Sequence, residues 1–461
     1  MSIGSLGKTS VGTILLAVVA AVLLSIPAMA DSQARIVRLS DVQGDVQIDR
    51  NIGQGYQKAF LNMPIIEGAR LWAKDDGRAE IEFEDGSVLH IVPNTKVNFE
   101  QLSLQGSGGK VSTINLENGT LYLTCNAKSA DDKFTVNFAG ESTTVTQPAH
   151  FRVDLNDTAA ELAVFKGDVE VSGPSGSVQL SKNHSASFDL LNDDKYSVAK
   201  NYEQDPYDQW DKAQNQYHDR YYSSNANSGS IPYGYGVSDL NYYGNYTMVP
   251  GYGNMWQPYF ANMGWDPFSN GAWMWYPGSG YTWVSSYPWG WMPYRYGTWQ
   301  FVPSYGWMWQ PGGWNTWNSG LAVANPPQRF IPPQPPNVPG HQTVVVGRPP
   351  VSTANAPRRM TITAGSAGLG VPRGGVNNLP KVAMRAGQEG SVNVHTAAPT
   401  RAVFAPFESG FGARPTTSTG VRTGAPTAPS RATSGTHMPS SAGAHVGGAP
   451  SRSSGGTTPH K

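Results

Sequence analysis

Ten positions between Trp265 and Trp283 recur 26 residues further on, and nothing else in this 461-residue sequence limits the fold as tightly. Trp265, Pro267, Phe268, Gly271, Trp273, Trp275, Pro277, Gly280, Tyr281 and Trp283 are answered by Trp291, Pro293, Tyr294, Gly297, Trp299, Phe301, Pro303, Gly306, Trp307 and Trp309. A shorter copy precedes them, with Gly244, Tyr246, Met248, Pro250, Gly253 and Trp256 in the same frame. The unit reads Gly-x-aromatic-x-bulky-x-Pro-x-x-Gly-x-x-Trp. Alternating aromatics ask for short strands, and the Pro and Gly positions suit turns and edges. One unit buries too little to stand alone, so the copies are expected to pack ring on ring.

The repeat lies in residues 231–321, where Asp239, Asp266 and Arg295 are the only charged residues. Two roles compete for the rings. They form the core of the module, or some form an exposed platform that stacks on sugar faces or on a partner's apolar surface. The candidates for such a platform bracket the junction of the two full copies: Trp289, Trp291 and Tyr294, with Arg295 as the local cation. Nucleic acid is a poor ligand here, because phosphate contacts dominate its affinity and the module lacks the bases to make them.

Residues 36–191 carry a β pattern throughout. In Ala79-Glu80-Ile81-Glu82-Phe83-Glu84 apolar and acidic residues alternate strictly, which predicts a strand with one face in the core and three carboxylates in water. Asp85-Gly86 then predicts a type I′ hairpin into Val88–Val92, and Asn118-Gly119 predicts a second between Ile114/Leu116 and Leu121/Leu123. Further strands read at Phe134–Val136, Phe151–Val153, Leu162–Phe165 and Val178–Leu180. Turn signals every eight to twelve residues point to an antiparallel sandwich or roll.

The order of these pieces resembles a known family. Gly44-Asp45-Val46 opens the series, followed by Ile66-x-Gly68-Ala69-x-Leu71, Gly77-Arg78-Ala79 leading to Asp85-Gly86-Ser87, and a Pro93-containing strand. Leu116-x-x-Gly119-x-Leu121, Phe151-x-Val153 and Val164-Phe165-Lys166-Gly167-Asp168-Val169 complete it. This order is similar to that of the FecR domain, the periplasmic module of bacterial iron-uptake regulators. The resemblance implies an envelope β-module that binds a protein or a surface. Regulators of that type carry a cytoplasmic sigma-factor-binding segment and a transmembrane helix ahead of the domain, so their regulatory role is not carried over. The aromatic segment resembles a Tyr/Trp/Pro-rich domain of unknown function that accompanies FecR domains in exported bacterial proteins.

The flanks set the compartment. Lys8, the apolar run Ile14–Ile26 and Ala28-Met29-Ala30 before Asp31 have the layout of a cleaved signal peptide over residues 1–30. Counted from Val11, the same run approaches the ~20 residues that span a bilayer, so an uncleaved anchor is the alternative. Export to the periplasm or the outer surface follows from the first reading. Within 192–230, Asp205-Pro206 is expected to open a connecting helix, with Trp210, Ala213, Tyr217 and Tyr221 on one stripe.

Charge is split along the chain. Asp31–Leu321 holds 19 basic and 31 acidic residues, whereas Ala322–Lys461 holds 13 basic and two acidic. A basic tail on an acidic body folds back on it, reaches for an anionic surface, or stays solvated. Pro-Pro pairs at 326, 332 and 335 and later Ser/Thr/Gly/Ala bias predict a disordered or extended tail over 322–461, with Thr343–Val346 and Met360–Thr363 able to become strands on binding.

No catalytic pattern emerges. The nine histidines show no metal-ligand spacing, and no nucleophile elbow or phosphate loop is present. Cys125 is the only cysteine and reads as a buried strand residue, so neither a disulfide nor a thiolate metal cage is expected. The reading is a mainly β, non-enzymatic, cofactor-free envelope protein. Its partner is another envelope protein or, alternatively, a cell-wall glycan.

Overall fold

The computed structural model describes residues 35–127, 129–174, 176–192, 195–222, 234–314, 322–337, 340–349 and 359–396. The segment read as a signal peptide, and the chain beyond residue 396, lie outside the described residues. Among the described residues no helix is long and apolar enough to cross a membrane.

Val37 to Ala199 form two sheets that share one strand, Lys110–Cys125. The first sheet runs Pro64–Ile65, Val37–Gln43, Arg78–Glu82, Val88–Ile91, the second half of the shared strand, Ala149–Leu155, Ala159–Lys166, Ser185–Asp189 and Lys195–Ala199. The second runs Gln57–Lys58, Val46–Asp49, Arg70–Ala73, Thr95–Leu104, the first half of the shared strand, Lys133–Phe138, Glu141–Val145, Asp168–Gly173 and Gly176–Ser181. The pairing is antiparallel as expected, except where Lys133–Phe138 lies parallel to Val111–Leu116. Apolar residues of both sheets meet in one core that includes Ala79, Ile81, Phe83, Leu123 and Phe151. Cys125 is buried there, and burial pushes its thiol up to about 11.

Two turns differ from expectation. At Asp85-Gly86 only Gly86 has a positive φ (85°), and its N–H bonds Phe83 O at 3.0 Å while Phe83 N–H bonds Ser87 O at 2.8 Å. The loop is therefore three residues closed by a left-handed glycine, not a two-residue type I′ turn. Asn118-Gly119 is not a turn at all. Gly119 (φ 93°) sits inside the shared strand, beside a register shift where Lys96 faces Asn118 but Val97 faces Leu116. A bulge of this kind bends a strand, and here it carries the chain from one sheet into the other.

The aromatic repeat folds as three hairpins: Gly244–Val249 with Gly253–Pro258, Gly271–Tyr276 with Gly280–Ser285, and Tyr296–Val302 with Gly306–Trp314. Each turn starts with Pro and closes with an N–H bond to the residue before that Pro. Trp256, Trp265, Trp289, Trp299 and Trp309 interlock edge to face or at a tilt, with centroids 5.0–6.5 Å apart. The first Gly of each unit has a specific cause. A Cβ on Gly244 or Gly271 would lie 2.4 Å from the facing Trp256 or Trp283 ring, and one on Gly297 would lie 2.9 Å from Trp309 Nε1. The first and third hairpins join through Trp256 and Trp309. The middle hairpin stands in both cores: Ala272, Met274, Tyr276 and Val284 pack into the double-sheet core, while Trp273 and Trp283 belong to the aromatic one.

The expected disorder from residue 322 needs correction. Val344–Val346 is already a strand, paired to Gly271–Trp273. Arg359–Thr363 and Ser391–His395 pair with each other and flank a helix, Leu379–Glu389. Ile362, Ala367, Val371, Val376 and Leu379 are buried against the aromatic core. The composition of this stretch hid a small set of apolar residues that find their partners only in the folded body.

Candidate functional site: a buried acid, histidine and arginine cluster

The strand Arg78–Glu82 brings Glu80 and Glu82 to one side, as alternation requires, and the turn after it carries Glu84. Their environment is the reverse of the expected wet face: the three are 0%, 2% and 6% exposed. Glu84 is paired with Arg35 at 2.8 and 2.9 Å, and three later segments cover Glu80 and Glu82. The first is helix α1, Asp208–Tyr222, whose start is fixed by a reciprocal cap. Asp205 Oδ1 accepts from Tyr207 N–H at 2.7 Å, and Asp208 Oδ2 accepts from Asp205 N–H at 3.0 Å. Asp205 is thus the capping residue expected ahead of Pro206, and the helix buries Trp210 and Tyr217 of the expected stripe. The second is helix α2, Val237–Tyr243, and the third is a strap over residues 359–396 that brings Arg373.

Glu80 is the hub. Its Oε1 accepts from Ser40 Oγ (2.6 Å) and Arg373 (2.5 Å) and lies 3.0 Å from His218 Nε2, while Oε2 lies 3.0 Å from His90 Nε2. His90 faces Glu80 across the hairpin, and its Nδ1 lies 2.7 Å from Asp211 Oδ1. His150 Nε2 stands 2.9 Å from Asp211 Oδ2. Asp211 and His218 are seven residues apart on α1, two turns along one face. On the other side Arg38 bridges Glu82 (3.0 Å) and Asp239 (2.7 Å), and Arg373 meets Asp239 through Nε and one terminal nitrogen at 3.1 Å each. Tyr217 donates to Asp239 at 2.9 Å.

Burial alone would push these groups toward neutrality, and the pairing decides which resist. Burial opposes ionisation of Glu80, but Arg373, His218 and His90 hold its pKa well below the usual carboxylate range. Burial likewise opposes charge on Asp211, yet His150 and His90 beside it bring it to about 2. His90 is disfavoured as a cation by burial but raised to about 9 by Asp211 and Glu80. His218 is raised in the same way by Glu80 and Glu82. Glu82 goes the other way, because burial outweighs its attraction to Arg38.

Ser238, His218 and Glu80 have the connectivity of a nucleophile, base and orienting acid, with Ser238 Oγ 3.2 Å from His218 Nδ1. Yet the imidazole is pushed toward its protonated form, and Ser238 is buried. A cationic imidazole takes no proton, so this trio reads as a fastening. Among the described residues no group of three or more His, Cys, Asp or Glu is disposed to hold a metal ion.

The four residues expected on a binding platform lie elsewhere. Trp289 and Trp291 are 0% and 1% exposed, and Arg295 is buried with one terminal nitrogen donating to Trp283 O at 2.8 Å. Tyr294 is half-buried and donates to Pro267 O at 2.5 Å. Trp289 stacks on Tyr287 at 4.9 Å. Trp289 and Trp291 belong to the aromatic core, and Tyr294 packs against it.

Residues 69–170 match the FecR protein family. Residues 237–330 match a second model, a family of unknown function (DUF6600). The cluster thus joins a FecR-type region, which supplies Glu80, Glu82, His90 and His150, to the segment that supplies Asp239. Two crystal structures of a candidate anti-sigma factor from Parabacteroides distasonis ATCC 8503, at 1.65 and 2.50 Å, are similar at 16% identity, each with a TM-score of 0.25. The alignment covers 29% of this chain and 59% of theirs. No curated protein matches the sequence.

Sequence reasoning missed the cluster for three different reasons. Glu80 and His90 become cross-strand neighbours only through the three-residue loop, because the expected two-residue turn sets Glu80 opposite Ile91. Asp211 and His218 were visible at helical spacing. Arg373 carried no local signal beyond the opposite charge of body and tail.

Proposed function

We propose that this chain is a non-enzymatic protein of the bacterial envelope that works as a protein-interaction body. The FecR match and the signal-peptide-like N-terminus support the location. The observation that carries the interaction is the open edge of the first sheet. Lys195–Ala199 pairs only with Ser185–Asp189 among the described strands, and every residue in it is exposed. Tyr196 (38% exposed) and Val198 (49%) project from one face of it, and Leu191 beside it is 71% exposed. An edge of this kind pairs with an extended strand of another protein, which gains main-chain bonds and packs on the two side chains.

The test is a pull-down from an envelope fraction with wild-type protein and with Tyr196→Asp/Val198→Asp. Loss of specific partners in the variant is expected. An unchanged partner set would remove the edge from the binding role.

A further inference from the structure

The strap crosses the aromatic module as a peptide lies in a receptor groove. Trp289 Nε1–H donates to Ala367 O (2.7 Å) and Tyr243 OH to Val371 O (2.9 Å). Tyr242 OH donates to Val376 O (3.0 Å) and accepts from Val376 N–H (2.9 Å). Phe260 O accepts from Gly365 N–H at 2.6 Å. All of these contacts read strap backbone. Side-chain selection falls to Arg373, which enters a pocket made by Glu80, Asp239, Ser40 O (3.0 Å) and the Tyr217 ring (5.0 Å). A planar guanidinium meets such a pocket with several charge-assisted bonds, whereas an amide or an ammonium does not.

The strap also satisfies its own regular structure, since its two strands pair with each other. No bond in the groove requires that strap and groove share a chain. We propose that the strap is exchangeable, so that Arg373 of a second copy of this chain seats in the Glu80–Asp239 pocket and links the copies. This rests on the reading of the chain as an interaction body and gives it a partner. The second copy is the occupant because its strap is the sequence already seen to fit. A strap joined to its own groove in one chain competes with the strap of another copy, so exchange appears only when that intramolecular seat is weakened or the protein is crowded.

Two full-length variants test this. Arg373→Gln leaves a groove without its own guanidinium, and Asp239→Asn leaves a strap whose arginine is poorly held. Mixed, they are expected to form a heteromeric complex by light scattering at concentrations about tenfold below those at which either self-associates. Absence of the mixed complex, with both variants melting as folded proteins, overturns the proposal. Should Asp239→Asn fail to fold, wild-type copies with two different tags are incubated together at about millimolar concentration. Co-purification of both tags, abolished by Arg373→Gln in both copies, is expected, and its absence also overturns exchange. A negative result beside a positive envelope pull-down removes exchange alone and leaves the interaction reading in place.

Discussion

His90 Nε2 lies 3.0 Å from Glu80 Oε2, directly across the Asp85-Gly86 hairpin, with both side chains buried. The imidazole has a folded pKa of about 9 against 6.5 for a free histidine, so its contribution to stability is complete below about pH 6.5 and is lost as pH rises through about 9. His218 is raised too and adds in the same direction. Asp211, depressed to about 2, contributes above its unfolded value of 3.8 and is lost as pH falls through 2. Thermal melts from pH 3 to pH 10 are expected to peak between about pH 4 and 6.5 and to decline on the alkaline side, with roughly 3 kcal/mol at stake in His90. A flat profile from pH 6 to 9.5 would show that His90 is not held as a cation.

The two buried glutamates on one strand are expected to respond differently to the same change. Glu80→Gln strips the counter-charge from His90, His218 and Arg373 and should cost about 3–5 kcal/mol. Glu82→Gln removes a carboxylate whose ionisation burial opposes and whose partner Arg38 keeps Asp239, and should cost less, about 1–3 kcal/mol. Urea denaturation of both variants gives the comparison, and equal losses would contradict the role of Glu80 as the hub.

Gly271→Ala places a Cβ 2.4 Å from Trp283 and 2.7 Å from Val284 O, with backbone on one side that cannot give way. A loss of about 2 kcal/mol is expected. Gly264, exposed and with no atom nearer than 3.7 Å to its added Cβ, is the control, and its alanine variant should stay within about 0.5 kcal/mol of wild type.

Trp289→Ala should cost about 3–5 kcal/mol and leave a cavity between Tyr287, Trp256 and Trp299. A variant as stable as wild type would mean that the ring is not part of a packed core.

The sequence made some of this legible and concealed the rest for definite reasons. Strand periodicity found the apolar face of Ala79–Phe83, because that face answers to its own sheet. It misjudged the acidic face, because what covers Glu80 comes from residues 211, 218, 239 and 373. The 26-residue repeat foretold hairpins and ring packing, which are local and short-range. It left Trp289 and Trp291 undecided, because an indole on a platform and one in a core obey the same spacing. The Pro- and Gly-rich composition after residue 322 pointed to an unstructured tail, yet a strap with few apolar anchors is held by a groove that composition does not describe.

The middle hairpin turns one side of its pleat to each core, Met274 and Tyr276 on one side and Trp273 on the other. A wall shared in this way ties the inheritance of its two neighbours together. Recombination that replaced the segment carrying Arg50 and Asn62, which donate to Trp275 O, Ser285 O and Tyr287 O, would have to bring matching donors and a matching apolar surface for the hairpin, or leave a hole in its side. Over evolutionary time the double-sheet region and the aromatic hairpins should therefore travel as a pair and drift in step across this seam.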